Sequence, residues 1–399
     1  MVLKQMEAYL DNSATTRCSE RAKNKMVQIL TEDYGNPSSL HNMGKTAEDY
    51  IKEAKEQIAK TLRCDEKEIV FTSGGTESNN MALIGGALAN KRQGKHIITT
   101  AIEHASVQAP LAYLKELGYE ITELSVDHDG IISLEELRDA VREDTVLVSI
   151  MMVNNEIGAV EPVEEAAKVI KAKNPDTLFH VDAIQAYGKF RICPKKMGID
   201  LLSVSGHKIH APKGTGFLYI RDKVKVKPII YGGGQQKGMR SGTENVPGII
   251  GFGAAARAAL RHLKEDVGRL SRMRDSFESL LRTQVGGVTV HSGGTERIPN
   301  TSNLAFDGCT AEALILLLEP AGLLCSAGSA CHTLQPMPSH VLTAMGLSDE
   351  AVRSSLRFSL SFMTTQEEVE QAAALVGSAV RKVRCVQSSR TGPVLVYRP

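Results

Sequence analysis

From about Glu68 to Ile220, the sequence alternates short β-branched, apolar runs with segments of helical periodicity. The alternation predicts strands at 96–102, 145–153, 177–183 and 200–205, and helices at 106–118 and 163–173. Strands that alternate with helices at this spacing are typical of a mostly parallel sheet with helices on both faces. The predicted fold class is therefore α/β.

The pattern changes after a long helical stretch at 248–285. A strand near 301–306 and a helix at 311–319 follow it, without the earlier regular alternation. A chain of 399 residues is long enough for two domains, each with its own core. We predict a large domain over residues 15–263 and a smaller α+β domain formed by residues 1–14 and 264–399.

Charge and cysteine content exclude several classes of protein. Lys and Arg total 47 against 46 Asp and Glu, so no global field attracts nucleic acid or an anionic membrane. No apolar run approaches the roughly 20 residues that span a bilayer, and the N-terminus lacks a secretory signal pattern. The seven cysteines are widely spread without CxxC spacing, which favours a reducing, cytoplasmic compartment over a disulfide framework.

Polar residues follow four of the predicted strands. In open α/β sheets, ligands bind outside the carboxyl ends of the strands, so these residues are expected to share one rim. Any one of them alone could be a capping or surface residue, but four groups together indicate an active site. They are Glu103 with His104, Asn154 to Glu156, Asp182 with Gln185, and Ser205 to Lys208.

Asp182 and Lys208 are the pair that suggests a particular chemistry. A carboxylate directly after an apolar strand needs a cationic or hydrogen-bonding partner. Pyridoxal phosphate fits both residues, since a lysine forms its Schiff base and a carboxylate keeps its pyridine nitrogen protonated. Asp182 could instead cap a following helix. Lys213 is the rival lysine, but its place between Pro212 and Gly214 is more typical of a turn.

The stretch 71–88, "FTSGGTESNNMALIGGAL", predicts a strand end, a Gly-Gly turn and a helix. Backbone N–H groups at a helix start, with the Ser73 or Thr76 hydroxyl, suit a phosphate dianion. The turn contains no lysine, which argues against a nucleotide-binding P-loop. His104 is then a flat side chain that can stack on a pyridine ring, or an ordinary polar histidine at a helix start.

A second reactive centre is predicted in "LLCSAGSACHTLQPMPSHVL" (323–342). Cys331 lies between small residues and a polar, Pro-containing stretch, which suggests an exposed loop and a nucleophilic thiol. Cys325, in an apolar run, better fits a buried structural cysteine. A free thiol has a pKa of ~8.5 and needs activation to act as a nucleophile, and nothing in the spacing indicates what Cys331 attacks.

These motifs resemble those of the cysteine desulfurases of the NifS/IscS type, in the class-V aminotransferase family. The similarity extends to about residue 375. The matching stretches are "YLDNSATT" (9–16), "YGNPSSLH" (34–41), "FTSGGTESNN" (71–80), "EHASV" (103–107), "VNNEIGAV" (153–160), "HVDAIQAYGK" (180–189), "SGHKIHAPKG" (205–214), "GGGQQKGMRSGTEN" (232–245), "GSAC" (328–331) and "PSHVL" (338–342).

The resemblance implies a fold and an activity. The fold is type I of the pyridoxal-phosphate enzymes, with a mostly parallel seven-stranded sheet between helices and a smaller α+β domain, in a homodimer. The activity is removal of sulfur from L-cysteine, which leaves L-alanine and a persulfide on Cys331. A sulfur-acceptor protein, such as an iron–sulfur scaffold, then receives the sulfur.

The resemblance also implies a role for each matching residue. Lys208 is implied as the Schiff-base lysine and proton shuttle, and Cys331 as the nucleophile. As a hypothesis, His104 or the substrate's own thiol assists in activating the Cys331 thiol. Asp182 pairs with the pyridine nitrogen, Gln185 with the phenolic oxygen, and His104 stacks on the ring. The phosphate contacts are Gly75, Thr76, Ser205 and His207, with Thr243 from the neighbouring subunit. Asn155, also beside the cofactor, and Arg357 receive the substrate carboxylate.

The sequence departs from the family pattern in three places: Ser361-Phe362 stand where Gly-Arg is frequent, His332 follows the nucleophile, and the tail from Arg384 is unusual.

The nearest alternative activities are selenocysteine lyase and cysteine sulfinate desulfinase on the same fold. A plain aminotransferase has no use for an exposed loop cysteine. A metal-dependent hydrolase using histidines 104, 180, 207 and 210 leaves Lys208 unexplained, and a non-catalytic sulfur-transfer scaffold would be colourless.

Overall fold

The computed structural model describes residues 7–328 and 338–390 and divides the chain into two units. The large unit contains residues 15–155 and 159–265. The small unit contains, among the described residues, 7–14, 156–158, 266–328 and 338–390. The short return of 156–158 to the small unit has no signal in the sequence.

The secondary structure is numbered in chain order. The described strands are β1 (Ala8–Tyr9), β2 (Ile69–Thr72), β3 (His96–Thr100), β4 (Glu120–Leu124), β5 (Thr145–Met151), β6 (Leu178–Asp182), β7 (Leu201–Ser205), β8 (Gly216–Ile220), β9 (Val288–Val290), β10 (Thr301–Phe306), β11 (Leu323–Leu324) and β12 (Ser355–Ser359).

The described α-helices are α1 (Glu20–Thr31), α2 (Asn42–Leu62), α3 (Gly75–Asn80), α4 (Gly86–Asn90), α5 (Ala105–Glu116), α6 (Leu134–Ala140), α7 (Val163–Lys173), α8 (Pro194–Met197), α9 (Val246–Gln284), α10 (Ala311–Leu318), α11 (His340–Ala344), α12 (Asp349–Arg353) and α13 (Gln366–Arg390). A π-helical segment, Met81–Gly85, joins α3 to α4. Within the described ranges, every helix is too short or too polar to cross a membrane.

A seven-stranded sheet, counted over the described residues, lies in the large unit in the order β2-β8-β7-β6-β5-β3-β4. The pairs from β7 through β4 are parallel, while β8 runs antiparallel to both β7 and β2. All seven residues of β5 are buried, as expected where helices cover both faces. The predicted mostly parallel sheet is confirmed. Its antiparallel strand β8 follows Lys208 along the chain.

The helices pack on this sheet through apolar side chains. Leu111 and Leu114 of α5 share a buried cluster with Leu147 of β5 and Leu218 of β8. The predicted strands and helices of this region are confirmed, although β3 and β5 end two residues earlier than their apolar runs. The apolar runs extend beyond the strands because residues such as Met152 and Val153 remain buried after the hydrogen bonding between strands has ended.

The small unit is built on a three-stranded antiparallel sheet, in the order β12-β10-β9. Phe277 of α9 packs edge-on against Phe358 of β12, with ring centroids 4.9 Å apart. α13 contributes Val376 and Val380 to the same core. The long helix expected at 248–285 is α9, and its residues belong to both units.

His180 of β6 is a neutral histidine in the middle of the large sheet. Its ring nitrogens lie 2.8 Å from the Ser149 hydroxyl and 2.9 Å from the Ser203 hydroxyl. Burial lowers the pKa of His180 to about 3. The two serine hydroxyls satisfy a neutral ring, so protonation of His180 opposes folding.

We expect the free energy of unfolding to fall as the pH is lowered from the pKa of a histidine in the unfolded chain, ~6.5, toward the pKa of His180 in the folded protein. Because the unfolded chain binds the extra proton in this window, His180 alone removes about 2 kcal/mol by pH 5. Guanidinium unfolding at pH 5 and above pH ~6.5 will show a free energy of unfolding that depends less on pH in the His180→Gln variant than in the wild type. The exposed His128 provides the control, since His128→Gln keeps the wild-type dependence. Equal pH dependences in the His180→Gln variant and the wild type would refute this account.

Candidate active site

Lys208 lies in a short turn between β7 and β8. A single 3₁₀ turn, Gly206–Lys208, follows the end of β7, and the Lys208 side chain is half-buried. The Gly206 N–H donates to the Thr215 carbonyl at 2.9 Å, which closes the base of the turn. His210 takes a left-handed backbone conformation, with φ 64°. The lysine is thus presented from a tight turn and not from a flexible loop.

The two histidines beside Lys208 fix this turn to residues 15–19. The Thr15 hydroxyl lies 3.1 Å from His207 Nδ1, and the Thr16 hydroxyl donates to the His207 carbonyl at 2.8 Å. Nδ1 of His210 donates to the Arg17 carbonyl at 2.8 Å. Burial lowers the pKa of both rings to about 4, and the Lys208 charge contributes at His207. The flanking histidines are therefore neutral anchors of the lysine turn.

Asp182, at the end of β6, is a buried carboxylate with 4% of its surface exposed. Its Oδ2 accepts from Asn79 Nδ2 at 2.8 Å, and its Oδ1 accepts from the Ile184 N–H at 2.9 Å. Burial raises the pKa of this carboxyl, while the two hydrogen bonds and the Lys208 charge act in the opposite direction. The helix-cap alternative is wrong, because the next described helix begins only at Pro194.

His104 is the N-cap of α5, so the interpretation as a histidine at a helix start is confirmed. Its Nδ1 accepts from the Ser106 N–H at 3.1 Å and lies 2.9 Å from the Ser106 hydroxyl. Ser106 in turn accepts from Asn79 Nδ2 at 2.9 Å. Being a cap does not exclude a role at the site, because His104 also acts electrostatically on Asp182.

The Gly-Gly turn leads directly from β2 into α3. Gly74 has φ 155° and ψ −172°, a conformation available essentially to glycine alone. A Cβ at Gly75 would lie 2.1 Å from Ile184 Cδ1 and 3.5 Å from Ser205 Cβ. Thr76 is exposed at the start of the helix. The turn therefore brings backbone N–H groups and the Ser205 side chain together in a way that suits an anion.

Gln185 and Lys189 follow Asp182 on the same segment. Gln185 is 6% exposed, and its backbone carbonyl accepts a hydrogen bond from Lys189 Nζ at 3.0 Å. Burial lowers the pKa of Lys189 to about 7, and the nearby Lys208 charge adds to this effect. The large unit thus places a second amine, that of Lys189, close enough to Lys208 for the two charges to interact.

The remaining predicted residues lie elsewhere in the chain. In the small unit, Arg357 of β12 is 1% exposed and its Nη2 pairs with Asp11 Oδ1 at 2.9 Å. In the large unit, Asn155 is half-buried and Thr243 is exposed. Cys331 lies outside the described residues. Burial raises the pKa of Cys325 to about 12, with Asp11 adding to the effect, which fits the predicted structural thiol.

Four residues of this site were missed by the sequence analysis: Thr15, Asn79, Ser106 and Lys189. Asn79 lies one turn inside α3 and Ser106 is the second residue of α5, and in neither case does the local sequence distinguish a buried polar side chain from an exposed one. Thr15 lies within the family-like stretch "YLDNSATT" and Lys189 within "HVDAIQAYGK", but nothing in the spacing indicates their partners. The stretches themselves were the signal that could have found them.

The chain is similar to known proteins over nearly its whole length. Residues 8–372 match the family Aminotransferase class-V. The cysteine desulfurase IscS of Methanosarcina thermophila is 45% identical over 377 residues, which cover 94% of this chain and 92% of the relative. A solved NifS-like protein superposes with a TM-score of 0.87 at 38% identity, covering 96% of this chain and all of that one. The structure "SspA in complex with cysteine" has a TM-score of 0.79 at 36% identity, covering 90% and 100%.

The fold defines the class first: it is the α/β fold of type I pyridoxal-phosphate enzymes. The chain belongs to the class-V aminotransferase family and, within it, to the cysteine desulfurases of the NifS/IscS type.

Gly216, the first residue of β8, is expected to tolerate no larger side chain. A Cβ there would lie 2.6 Å from the Val204 carbonyl oxygen and 2.7 Å from Gly74 Cα, so backbone would have to move. We expect Gly216→Ala to lower the free energy of unfolding by about 1 to 3 kcal/mol in guanidinium titrations. Gly286→Ala, which meets no atom within 4 Å, is the matched control with little change. Equal stability of the two variants would contradict the close approach at Gly216.

Proposed function

We propose that this protein uses pyridoxal phosphate to remove sulfur from L-cysteine, producing L-alanine and a persulfide on Cys331. Membership of the cysteine desulfurases supports the activity. The structural observation that best supports the cofactor is Asp182, whose buried carboxyl has a raised pKa and accepts one hydrogen bond on each oxygen. A carboxylate has about four lone-pair sites, so acceptor capacity remains for a protonated ring nitrogen.

The surrounding residues fit the rest of the cofactor. The Gly74-Gly75 turn offers N–H groups for the phosphate at the start of α3, where Ile184 packs so close to Gly75 that a Cβ would not fit. Ser205, Thr76 and a neutral His207 add hydrogen-bonding groups. The proposed partner of the phenolic oxygen is Gln185, which is buried three residues after Asp182. Bound pyridoxal phosphate supplies an electron sink for the bonds to the substrate's Cα.

Lys208 holds the cofactor through Nζ and moves the substrate's Cα proton at the same atom. For this role the amine must be deprotonated. The side-chain amine of Lys189 opposes positive charge at Lys208, since each cation disfavours the other. The anchored turn keeps Nζ in position.

Arg357 and Asn155 receive the substrate carboxylate. A planar guanidinium fits a carboxylate with two parallel hydrogen bonds, and the Asp11 ion pair fixes the Arg357 fork through Nη2. Cys331 attacks the substrate sulfur, so that an S–S bond forms as the substrate's C–S bond breaks. The substrate carbon takes up a proton, and the products are L-alanine and the Cys331 persulfide.

Two variants test this proposal. Because Lys208 holds the cofactor and Cys331 takes the sulfur, we expect Lys208→Ala to lose alanine release by at least about a thousandfold. Cys331→Ala should lose the persulfide but keep the visible absorbance of the bound cofactor. Absorbance spectra, alanine assays and a persulfide-specific label make the measurements, with Lys213→Ala as the control lysine. A colourless protein after incubation with pyridoxal phosphate would refute the proposal.

The same variants separate the alternative activities. A selenocysteine lyase or cysteine sulfinate desulfinase would release alanine from its own substrate in the Cys331→Ala variant. A cysteine desulfurase loses activity on L-cysteine in that variant. Assays with the three substrates therefore distinguish them.

We also propose a cytoplasmic homodimer that passes its sulfur to an acceptor protein such as an iron–sulfur scaffold. The described cysteines, six in number, are free thiols, as in a reducing compartment. Large apolar side chains are exposed in the single chain, at Tyr34 (71%), Leu40 (105%) and Tyr231 (77%). Thr243, exposed in the same chain, is free to reach a partner's phosphate site.

We expect light scattering after gel filtration to give twice the chain mass of 43.2 kDa, because a second copy covers these apolar side chains. Leu40→Glu is expected to shift the mass toward that of the single chain, while the exposed Leu316→Glu in the small unit is the control. A monomeric wild-type protein would contradict the dimer and the role of Thr243.

A further inference from the structure

A chain of hydrogen bonds joins Asp182 to His104 through two residues that have no assigned role. Asn79 Nδ2 lies 2.8 Å from Asp182 Oδ2 and 2.9 Å from the Ser106 hydroxyl. The Ser106 hydroxyl lies 2.9 Å from His104 Nδ1. Asn79 is fully buried and Ser106 is 7% exposed. The chain is thus shielded from water from Asp182 to Ser106, while His104 at its other end is half-buried.

The direction of each hydrogen bond in this chain follows from its chemistry. An ionised Asp182 only accepts, so the amide nitrogen of Asn79 must face it. The second hydrogen of that nitrogen points at the Ser106 oxygen, which therefore accepts. The single Ser106 hydroxyl hydrogen is then available to donate to His104 Nδ1.

The backbone gives independent evidence for the last bond. The Ser106 N–H, which can only donate, points at the same His104 Nδ1 at 3.1 Å. A nitrogen that receives two donors carries its lone pair and no hydrogen. The His104 ring therefore has its proton on Nε2, whatever the orientation of the Asn79 amide.

We propose that Asn79 and Ser106 are positioning residues that fix His104 as the neutral Nε2–H tautomer. This inference rests on the proposed function only for its consequence. His104 then offers the cofactor and substrate a flat ring and a hydrogen-bond donor. It is not the base that deprotonates the Cys331 thiol, because its one lone pair is already bound to Ser106.

Histidine NMR on the full-length protein tests the tautomer directly. Ring ¹⁵N labelling of the 11 histidines, with His104 assigned by the signals lost in His104→Gln, reports which nitrogen carries hydrogen. We expect an unprotonated Nδ1 and a protonated Nε2 between about pH 7 and pH 8, with and without added pyridoxal phosphate. An Nδ1–H tautomer, or an equal mixture of the two, would overturn the proposal.

Variants test the positioning role with a readout that a loss of stability does not move. Ser106→Ala removes one donor to Nδ1, so the pH midpoint of the His104 signals should rise by about 0.5 to 1 pH unit. Ser106→Thr restores the hydroxyl and the wild-type midpoint, and Asn79→Ala gives a rise of the same sign. Ser133→Ala, at the N-cap of α6, is the matched control with no effect on His104. An unchanged midpoint in Ser106→Ala would overturn the role of the hydroxyl.

The outcomes separate this inference from the proposed function. Because the tautomer is read without cofactor, a protein that fails to bind pyridoxal phosphate but shows the Nε2–H ring refutes only the function. A protein that binds the cofactor but shows an Nδ1–H ring refutes only the inference.

Discussion

The site depends on keeping a negative charge at the buried end of β6. Burial works against the Asp182 carboxylate, and two hydrogen bonds together with the Lys208 charge work for it. The rest of the large unit supplies those groups from three different segments: α3, the turn after β6 and the turn after β7. Without the parallel sheet, whose strands end on one rim, these segments would not converge. All of these groups therefore act on the same carboxylate.

Anchoring of the lysine turn illustrates how polar contacts replace a helix at one connection. The parallel strands are joined through helices, but β7 and β8 are antiparallel neighbours joined directly by the Lys208 turn. Such a turn has no helical framework of its own. The contacts of His207 and His210 with residues 15–17 supply the missing rigidity. This explains why the lysine stands between two histidines, and neither of them needs to take part in the chemistry.

Much of the fold and part of the site followed from the sequence. The strands of the large sheet are nearly continuous apolar runs, because both faces are covered, and such runs are easy to recognise. Asp182 and Lys208 were found since each stands directly after such a run. Asn79, Ser106 and Thr15 were not found, because their importance comes from partners 27 to 192 residues away along the chain. Hydrogen-bond direction, which decides the state of His104, is likewise a property of three-dimensional geometry.

The long-range contacts of residues 13–17 have a consequence for folding. The Thr16 hydroxyl bonds to residues 191 and 194 positions later, and the Ser13 N–H bonds to the Ser359 hydroxyl 346 positions later. A loop of 191 residues must therefore close before Thr16 can anchor the lysine turn, and contacts over such a separation form more slowly than local ones. The rigidity of Lys208 is thus acquired in a non-local folding step and not from its own turn.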